Sequence, residues 1–507
     1  MEFTLGKGEP MQMKDLPLLA SELPEDILKA KWCGDFKRAM RLIDLRVSEE
    51  RTPDFLKKRL LMEKEILERL PLYYGYTVPE AVALVQKEIP DFSEQELESL
   101  MDSGTTDWIY IDGKPHLATR FYETLVDVNP FIAKRAARGR GESIAENQAQ
   151  NADFEETPNS RMKNESMRMI LSEGSRSDLI RIRASLKIRD EVFHPGKVLI
   201  HLPIPKPQIN MTKIRILDIF PPESETCKVT VAPEEVPSRT VAWEAELDEN
   251  TEFSVEYEYV STMTAHDLTE PPKSSDAAFS EDPPTSDDLS EKLPSIHFTE
   301  TIRNLAAELT RRAEEKAGRR LDPEDPKDKL RIARAFYDYC TVNVVYSYTR
   351  SYFTIEQIPE YVALGRRGDC GTMAILFITL CRSAGIPARW QSGLYVTPDY
   401  EGMAAEAGMH DWAMFYIEGY GWLFADPSFG GSAFRAGNLE RWNYYFGNLD
   451  TFRMAANSEF QAEFIPPKQH SRNDPTDSQA GEAEYEDGPL FSEHLIRNQQ
   501  VLEHHRI

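Results

Sequence analysis

The sequence predicts a multidomain α+β protein with three parts: an N-terminal helical module, an antiparallel β-sandwich, and an α+β core in which helices precede strands. Three observations predict it. Residues 12–138 carry helix-capping signals, residues 179–263 alternate apolar and polar residues over short runs, and residues 297–470 begin with helical periodicity and then turn to strands. At 507 residues the chain is long for one core, and at 41% hydrophobic it can fill several.

Residues 1–138 form the expected helical module. Thr77-Val-Pro-Glu80 and Ser93-Glu-Gln-Glu96 both have capping-box spacing, each before a short amphipathic run. WIYIDGKPHL, from Trp108 to Leu117, alternates around Asp112-Gly113 and predicts a hairpin. Helices followed by a hairpin could make a winged-helix shape, but no basic cluster marks a DNA-reading helix. A structural or protein-binding module is expected instead, with a protein partner. Residues 139–178 turn polar (GRGESIAENQAQNADFEETPNS) and predict a linker.

From 179 to 265, runs such as LIRIRASLKI, KVLIHLPIP, TVAWEAEL and EFSVEYEYVS are separated by Pro, Gly, Asn and Asp. Several short strands at that spacing predict the sandwich. His194 and His201 fall here without Cys or Asp at ligand spacing, so they read as ordinary strand residues. Residues 266–296 hold eight acidic residues against two basic ones, with several prolines, and read as a solvated linker. Residues 471–507 read as an acidic tail, either disordered or strapped across a cleft.

Charge narrows the classes of function. A formal net charge of −26 argues against nucleic acid, whose phosphates need clustered Lys and Arg; solubility accounts for the acid. Five cysteines, at 33, 227, 340, 370 and 381, are too few and odd in number for a disulfide framework and suit a reducing compartment. The N-terminal stretch lacks a basic region followed by an apolar one, and the longest apolar run is too short to span a bilayer. A cytoplasmic protein without a membrane partner is the expectation. No metal or cofactor is implied, because the histidines are scattered; His504-His505 reads as incidental.

The chemistry concentrates between 297 and 470. GRRGDCGTMAILFITLCRSAGIPARW places Asp369 at the N-cap of a helix that Gly385 and Pro387 stop. Cys370 is then its first residue, among unpaired N–H groups at the positive end of the helix dipole, which favours a thiolate. Cys381 falls on the core stripe of the same helix and should be inert. Next, HDWAMFYI and WLFADPSFGG flank the turn Glu418-Gly-Tyr-Gly421. If Trp412 lies opposite Asp426, His410 is a diagonal neighbour of Asp426 on the same face. Slippage by one residue would separate them.

A nucleophilic cysteine needs a base, and the base needs an acceptor that fixes its tautomer. Cys370, His410 and Asp426 fill those roles in chain order. Asp369 and Asp411 compete as the acid, but Asp369 is expected to cap the helix and Asp411 to turn away from His410 by strand alternation.

GDCGTMAILFITLCRSAGIPARWQSG, HDWAMFYIEGYGWLFADPS and the upstream NVVYSYT together resemble the transglutaminase-like superfamily, over roughly Tyr346 to Gly431. The resemblance implies a papain-like fold for the core and acyl transfer through a thioester. It also implies that an upstream aromatic donor helps stabilise the oxyanion, for which Tyr346 and Tyr348 are the candidates, and it leaves Trp412 as a candidate for lining the cleft. Three functions follow. The first is a hydrolytic peptidase or amidase acting on peptide or side-chain amides. The second is a protein-glutamine transglutaminase, and the third a scaffold that keeps the fold without turnover.

Overall fold

The computed structural model describes residues 13–141, 158–269, 282–397 and 406–507. They divide into two compact units. The first comprises the described part of Met1–Asp153 together with Lys292–His297 and Asn343–Asp369. Its helices Glu25–Trp32, Phe36–Ser48 and Asp54–Tyr73 close over Ile27, Ile43, Leu60 and Ile66. Helices Val78–Gln86, Glu94–Asp102, Phe121–Val128 and Pro130–Gly139 close over Val85, Leu97, Phe121 and Leu125.

Both capping signals form. Thr77 and Glu80 make a reciprocal box, and the Ser93 hydroxyl accepts from the Glu96 N–H. In the hairpin Trp108–Ile111/Lys114–Leu117, Asp112 and Gly113 have φ of 50° and 75°, the two positive angles that match strand twist. Tyr76–Thr77 adds a third strand beside Lys114–Leu117.

Residues 343–369, grouped by sequence with the core, are instead built into this helical unit. Phe353 joins its first core. Asp107 accepts from the Tyr74 hydroxyl at 2.8 Å, the Tyr361 hydroxyl at 3.0 Å and Arg367 Nη2 at 2.7 Å. Glu356 binds Lys31 at 2.9 Å and Arg59 at 3.0 Å. Buried charges need partners of this kind, and periodicity does not record which distant residue provides them.

The second unit contains α1 (Pro158–Glu173), β1 (Ser175–Ile188), β2 (Gly196–Pro203), β3 (Met211–Phe220), β4 (Cys227–Val231), β5 (Thr240–Leu247) and β6 (Phe253–Thr264). Then come α2 (Glu300–Ala317), α3 (Pro326–Asn343, its last residue clustering with the first unit), α4 (Cys370–Ser383), β7 (Ala388–Tyr395), β8 (Gly408–Ile417) and β9 (Gly421–Ala425). They are followed by α5 (Pro427–Arg435), α6 (Leu439–Tyr444), β10 (Phe446–Gly447), β11 (Arg453–Asn457), β12 (Glu482–Tyr485), β13 (Gly488–Leu490) and β14 (Leu495–Arg506).

Three antiparallel sheets result, ordered β13-β12-β2-β5-β4, β14-β1-β6-β3 and β10-β9-β8-β7-β11. Between the first two, Trp243 of β5 meets Phe253 of β6 edge-on at 5.5 Å. The third sheet carries α4 on one face, where Phe377 meets Phe415 of β8 at 5.6 Å.

Three readings of the connecting segments change. Residues 471–507 are not a tail: β12 pairs with β2, and β14 pairs along β1 from Leu495↔Ile188 to Arg506↔Asp178. His504, taken as incidental, places Nε2 3.2 Å from Asp178 Oδ2, with both side chains fully buried. Of the expected linker 139–178, residues 142–157 lie outside the described residues, and 158–173 form α1, with Met167 and Ile170 buried. Of the linker 266–296, residues 270–281 lie outside the described residues, while Asp288 is buried and binds Arg389 Nε at 2.7 Å. Acidic composition signalled solvation, but strand pairing and a half-buried arginine prevail.

His201 is fully buried, with Nδ1 3.0 Å from the Thr240 hydroxyl and its ring stacked on Phe464 at 4.4 Å. Burial pushes its pKa down to about 3. The folded state therefore refuses a proton that the unfolded chain takes below about pH 6.5, at about 1.4 kcal/mol per unit. Stability from this group is complete above pH 6.5 and is lost as pH falls toward 3. His201→Gln should flatten the fall in Tm between pH 7 and pH 4; equal slopes in both proteins would contradict it. Deleting residues 495–507 removes β14 and the His504 partner of Asp178, and should lower Tm markedly by calorimetry; an unchanged Tm would show that β14 contributes nothing to the unit.

Candidate active site

α4 begins at Cys370, as the capping pattern predicts, and ends at Ser383. Gly385, at φ 76°, turns the chain out of it, and the Ile386 N–H returns to the Cys381 carbonyl. Cys370 is half-buried, whereas Cys227, Cys340 and Cys381 are buried. Burial drives the Cys381 thiol well above its ordinary value, which makes it inert. All five cysteines are free.

The β8–β9 hairpin has the register that aligns the histidine with the aspartate. Pairs run from Ile417↔Gly421 to Ala413↔Ala425, so the next step places Trp412 opposite Asp426 and His410 diagonal to it. His410 Nε2 lies 2.8 Å from Asp426 Oδ2, with both side chains buried. Asp426 also caps α5, its Oδ1 accepting from the Phe429 N–H and the Ser428 hydroxyl, both at 2.9 Å. Pro427 at the first helical position makes this a strong start signal, and it explains why Asp-Pro-Ser follows the strand. Gly430, one turn on, is required by packing: a Cβ there would lie 1.8 Å from the Tyr337 hydroxyl.

Arg453 of β11 completes the pair. Its Nη1 donates to Asp426 Oδ2 at 2.7 Å, and Nε and Nη2 donate to Asp450 at 3.0 and 2.9 Å. Burial by itself would raise the Asp426 carboxyl, but His410 and Arg453 outweigh it and hold the group below the usual carboxylate range. For His410 burial wins, pushing the imidazole below its ordinary value against the pull of Asp426. The ground state is therefore a neutral imidazole beside an ionised carboxylate. The His410 ring stacks on Phe429 at 4.2 Å. Lys163 of α1 stands over Phe429 at 3.5 Å, its amine lowered by burial to about 7.

The thiol makes a contact that sequence reasoning turned away. Cys370 Sγ donates to Asp411 Oδ2 at 3.2 Å. Successive strand residues alternate, so Asp411 shares with Phe415 the side that faces α4, and His410 shares the other with Trp412. Asp411 does turn away from His410, as expected, and in doing so it meets the thiol. The structure thus joins His410 directly to Asp426, and Cys370 to the residue next to His410.

The remaining candidates fall as follows. Trp412, offered as a cleft residue, is fully buried and donates Nε1 to Gln391 at 2.6 Å, so it is a core residue. Tyr346 and Tyr348 belong to the first unit; Tyr346 ends a short strand paired with Arg367–Gly368, and the Tyr348 ring lies 3.3 Å from the Arg120 guanidinium. Asp369, expected to cap α4, accepts from the Tyr352 hydroxyl at 2.7 Å. Arg453 and Gln479 were missed, because no local motif marks a partner contributed by a separate strand or loop. Among the described residues no group of three or more His, Cys, Asp or Glu is placed to hold a metal, and no helix is long and apolar enough to cross a membrane.

Residues 318–427 match the model of the Transglutaminase-like superfamily. No curated protein matches the chain. Among solved structures, it is similar to a Cytophaga hutchinsonii protein provisionally assigned as a cysteine protease, at 15% identity and a TM-score of 0.34, covering 64% of this chain and 98% of that one. It is also similar to the periplasmic domain of TgpA from Pseudomonas aeruginosa, at 14% identity and a TM-score of 0.26, covering 52% of this chain and 92% of that one. Likenesses this loose identify no activity.

Removing Arg453 leaves two buried carboxylates without their cation. Arg453→Met should cost about 3–5 kcal/mol in urea unfolding; a loss below about 1 kcal/mol would mean that Asp426 and Asp450 do not depend on it.

Proposed function

We propose, from the match of residues 318–427 to the Transglutaminase-like superfamily model, that the protein is a thiol-dependent acyl-transfer enzyme, hydrolysing peptide or side-chain amides through a thioester. Cys370 is the nucleophile, His410 the base and Asp426 its orienting acid. The observation that carries this reading is the buried 2.8 Å bond from His410 Nε2 to Asp426, one residue along β8 from the carboxylate that meets the thiol.

In this reading Asp426 engages Nε2 and leaves Nδ1 to accept the thiol proton. That transfer requires the thiol to leave Asp411, on the opposite face of β8, and come within reach of His410; the proton then goes to Nδ1 and the sulfur attacks the amide carbonyl carbon. The C–S bond forms, the C–N bond breaks, and the leaving nitrogen takes the proton back from the imidazolium. Water then cleaves the thioester and restores the thiol. The buried imidazolium is costly by desolvation, and the ionised Asp426 offsets that cost at the moment charge appears. Five free cysteines suit a reducing compartment, which supports a cytoplasmic location.

Ammonia release from glutamine peptides, with and without an added primary amine, tests the reading. Release that is independent of amine is expected, lost in Cys370→Ala and reduced at least about a hundredfold in His410→Asn. Amine incorporation would move the assignment to a transglutaminase. No turnover over a broad peptide library, with partner capture unchanged in Cys370→Ala, would favour a scaffold.

A further inference from the structure

We infer that Asp411 is a positioning residue that holds the Cys370 thiol protonated at rest, and that Gln479 fixes Asp411 in that role. The inference rests on the reading of Cys370 as the nucleophile and concerns how that nucleophile is restrained. Both carboxylate oxygens are engaged. Oδ2 accepts the thiol at 3.2 Å, and Oδ1 accepts from Gln479 Nε2. A negative charge in contact with sulfur disfavours the thiolate, and a hydrogen bond to the carboxylate stabilises the thiol. The N-terminus of α4 acts in the opposite direction. The balance between them sets the pH at which Cys370 reacts.

Gln479 is held from several directions. Its Nε2 also lies 3.1 Å from Asp477 Oδ2, so one amide bridges two carboxylates. The neighbouring Ser478 carbonyl accepts from Asn457 Nδ2 at 2.7 Å, and the same amide reaches the Ser392 hydroxyl at 3.1 Å. Ser392 is the cross-strand partner of Asp411. Asn457 Oδ1 accepts from Ser238 at 2.6 Å. Arg472 Nη2 binds the Asp477 carbonyl at 2.9 Å and Glu482 at 2.7 Å, tying the loop to β12. A loop that composition alone would call a tail therefore fixes a charge beside the thiol.

The titratable groups around Asp411 come from three elements. α4 contributes Cys370. The 471–481 loop contributes Asp477, raised by burial to about 6, with Asp474 and Arg472 acting on it in turn. β8 carries His410 on its other side, beyond which lie Asp426, at the end of β9, and Arg453 of β11. Gln479 donates to the Asp411 oxygen that the thiol leaves open.

The test uses the full chain and follows alkylation of Cys370 by iodoacetamide, read by mass spectrometry from pH 5 to pH 9. Asp411→Asn, of equal size and without charge, should shift the profile to lower pH and raise labelling about tenfold on its acid side. Asp411→Glu keeps the charge and should stay near wild type. Labelling of Asp411→Asn at the wild-type rate throughout, or more slowly, overturns the inference; the slower result would make Asp411 a base. A second measurement needs no Asp411 variant. The infrared difference between wild type and Cys370→Ala at pH 7 should contain an S–H stretch lowered and broadened by hydrogen bonding, and its absence would overturn the resting thiol. Neither readout requires turnover, so failure here leaves the acyl-transfer reading standing, and failure to find a substrate leaves this one standing.

Discussion

The buried carboxylate of Asp426 is the group on which the candidate site depends. It ends β9, caps α5, accepts from His410 and pairs with Arg453. Each contact solves a different problem. The cap satisfies N–H groups at the helix start, the histidine gains a fixed tautomer, and the arginine balances a charge that burial alone would neutralise. Because one side chain joins two strands, a helix and an ion pair, the hairpin register has little freedom to slip. A shift by one residue would turn Asp426 away from both His410 and Arg453.

A second constraint lies in the placement of the supporting pieces. The chain just before Cys370 is built into the helical unit through Asp107 and Glu356. The chain after the core returns to complete both sheets of the β-rich part, and on the way it brings Gln479 to Asp411. The C-terminal stretch thus supplies a hydrogen-bond partner to the carboxylate that meets the thiol. This is the usual way in which a carboxylate or thiol is tuned: by what surrounds it rather than by what it is.

Much was legible from local pattern. The capping signals at Thr77 and Ser93, the Asp112-Gly113 turn, the start of α4 at Cys370 and its end near Gly385 all follow from rules that act over a few residues. The His410–Asp426 pairing was legible as well, because a short turn fixes the hairpin register and thereby the diagonal. What could not be read was whatever depends on residues far apart in the chain. Arg453 has no motif, the strand at 495–506 is disguised by its polar composition, and the 343–369 segment is claimed by buried ion pairs with distant helices.

The sequence by itself determined where a reactive cysteine could stand, which histidine and aspartate could share a face, and that Cys381, on the core stripe of the same helix, is structural. Periodicity, capping and turn chemistry are local, and they act before the chain has folded. Tertiary structure alone decided that the thiol meets Asp411 rather than an empty cleft, that Arg453 holds Asp426 ionised, and that a polar C-terminal stretch is strand. Those outcomes turn on burial and on charges brought together across the chain, and both exist only once it has folded.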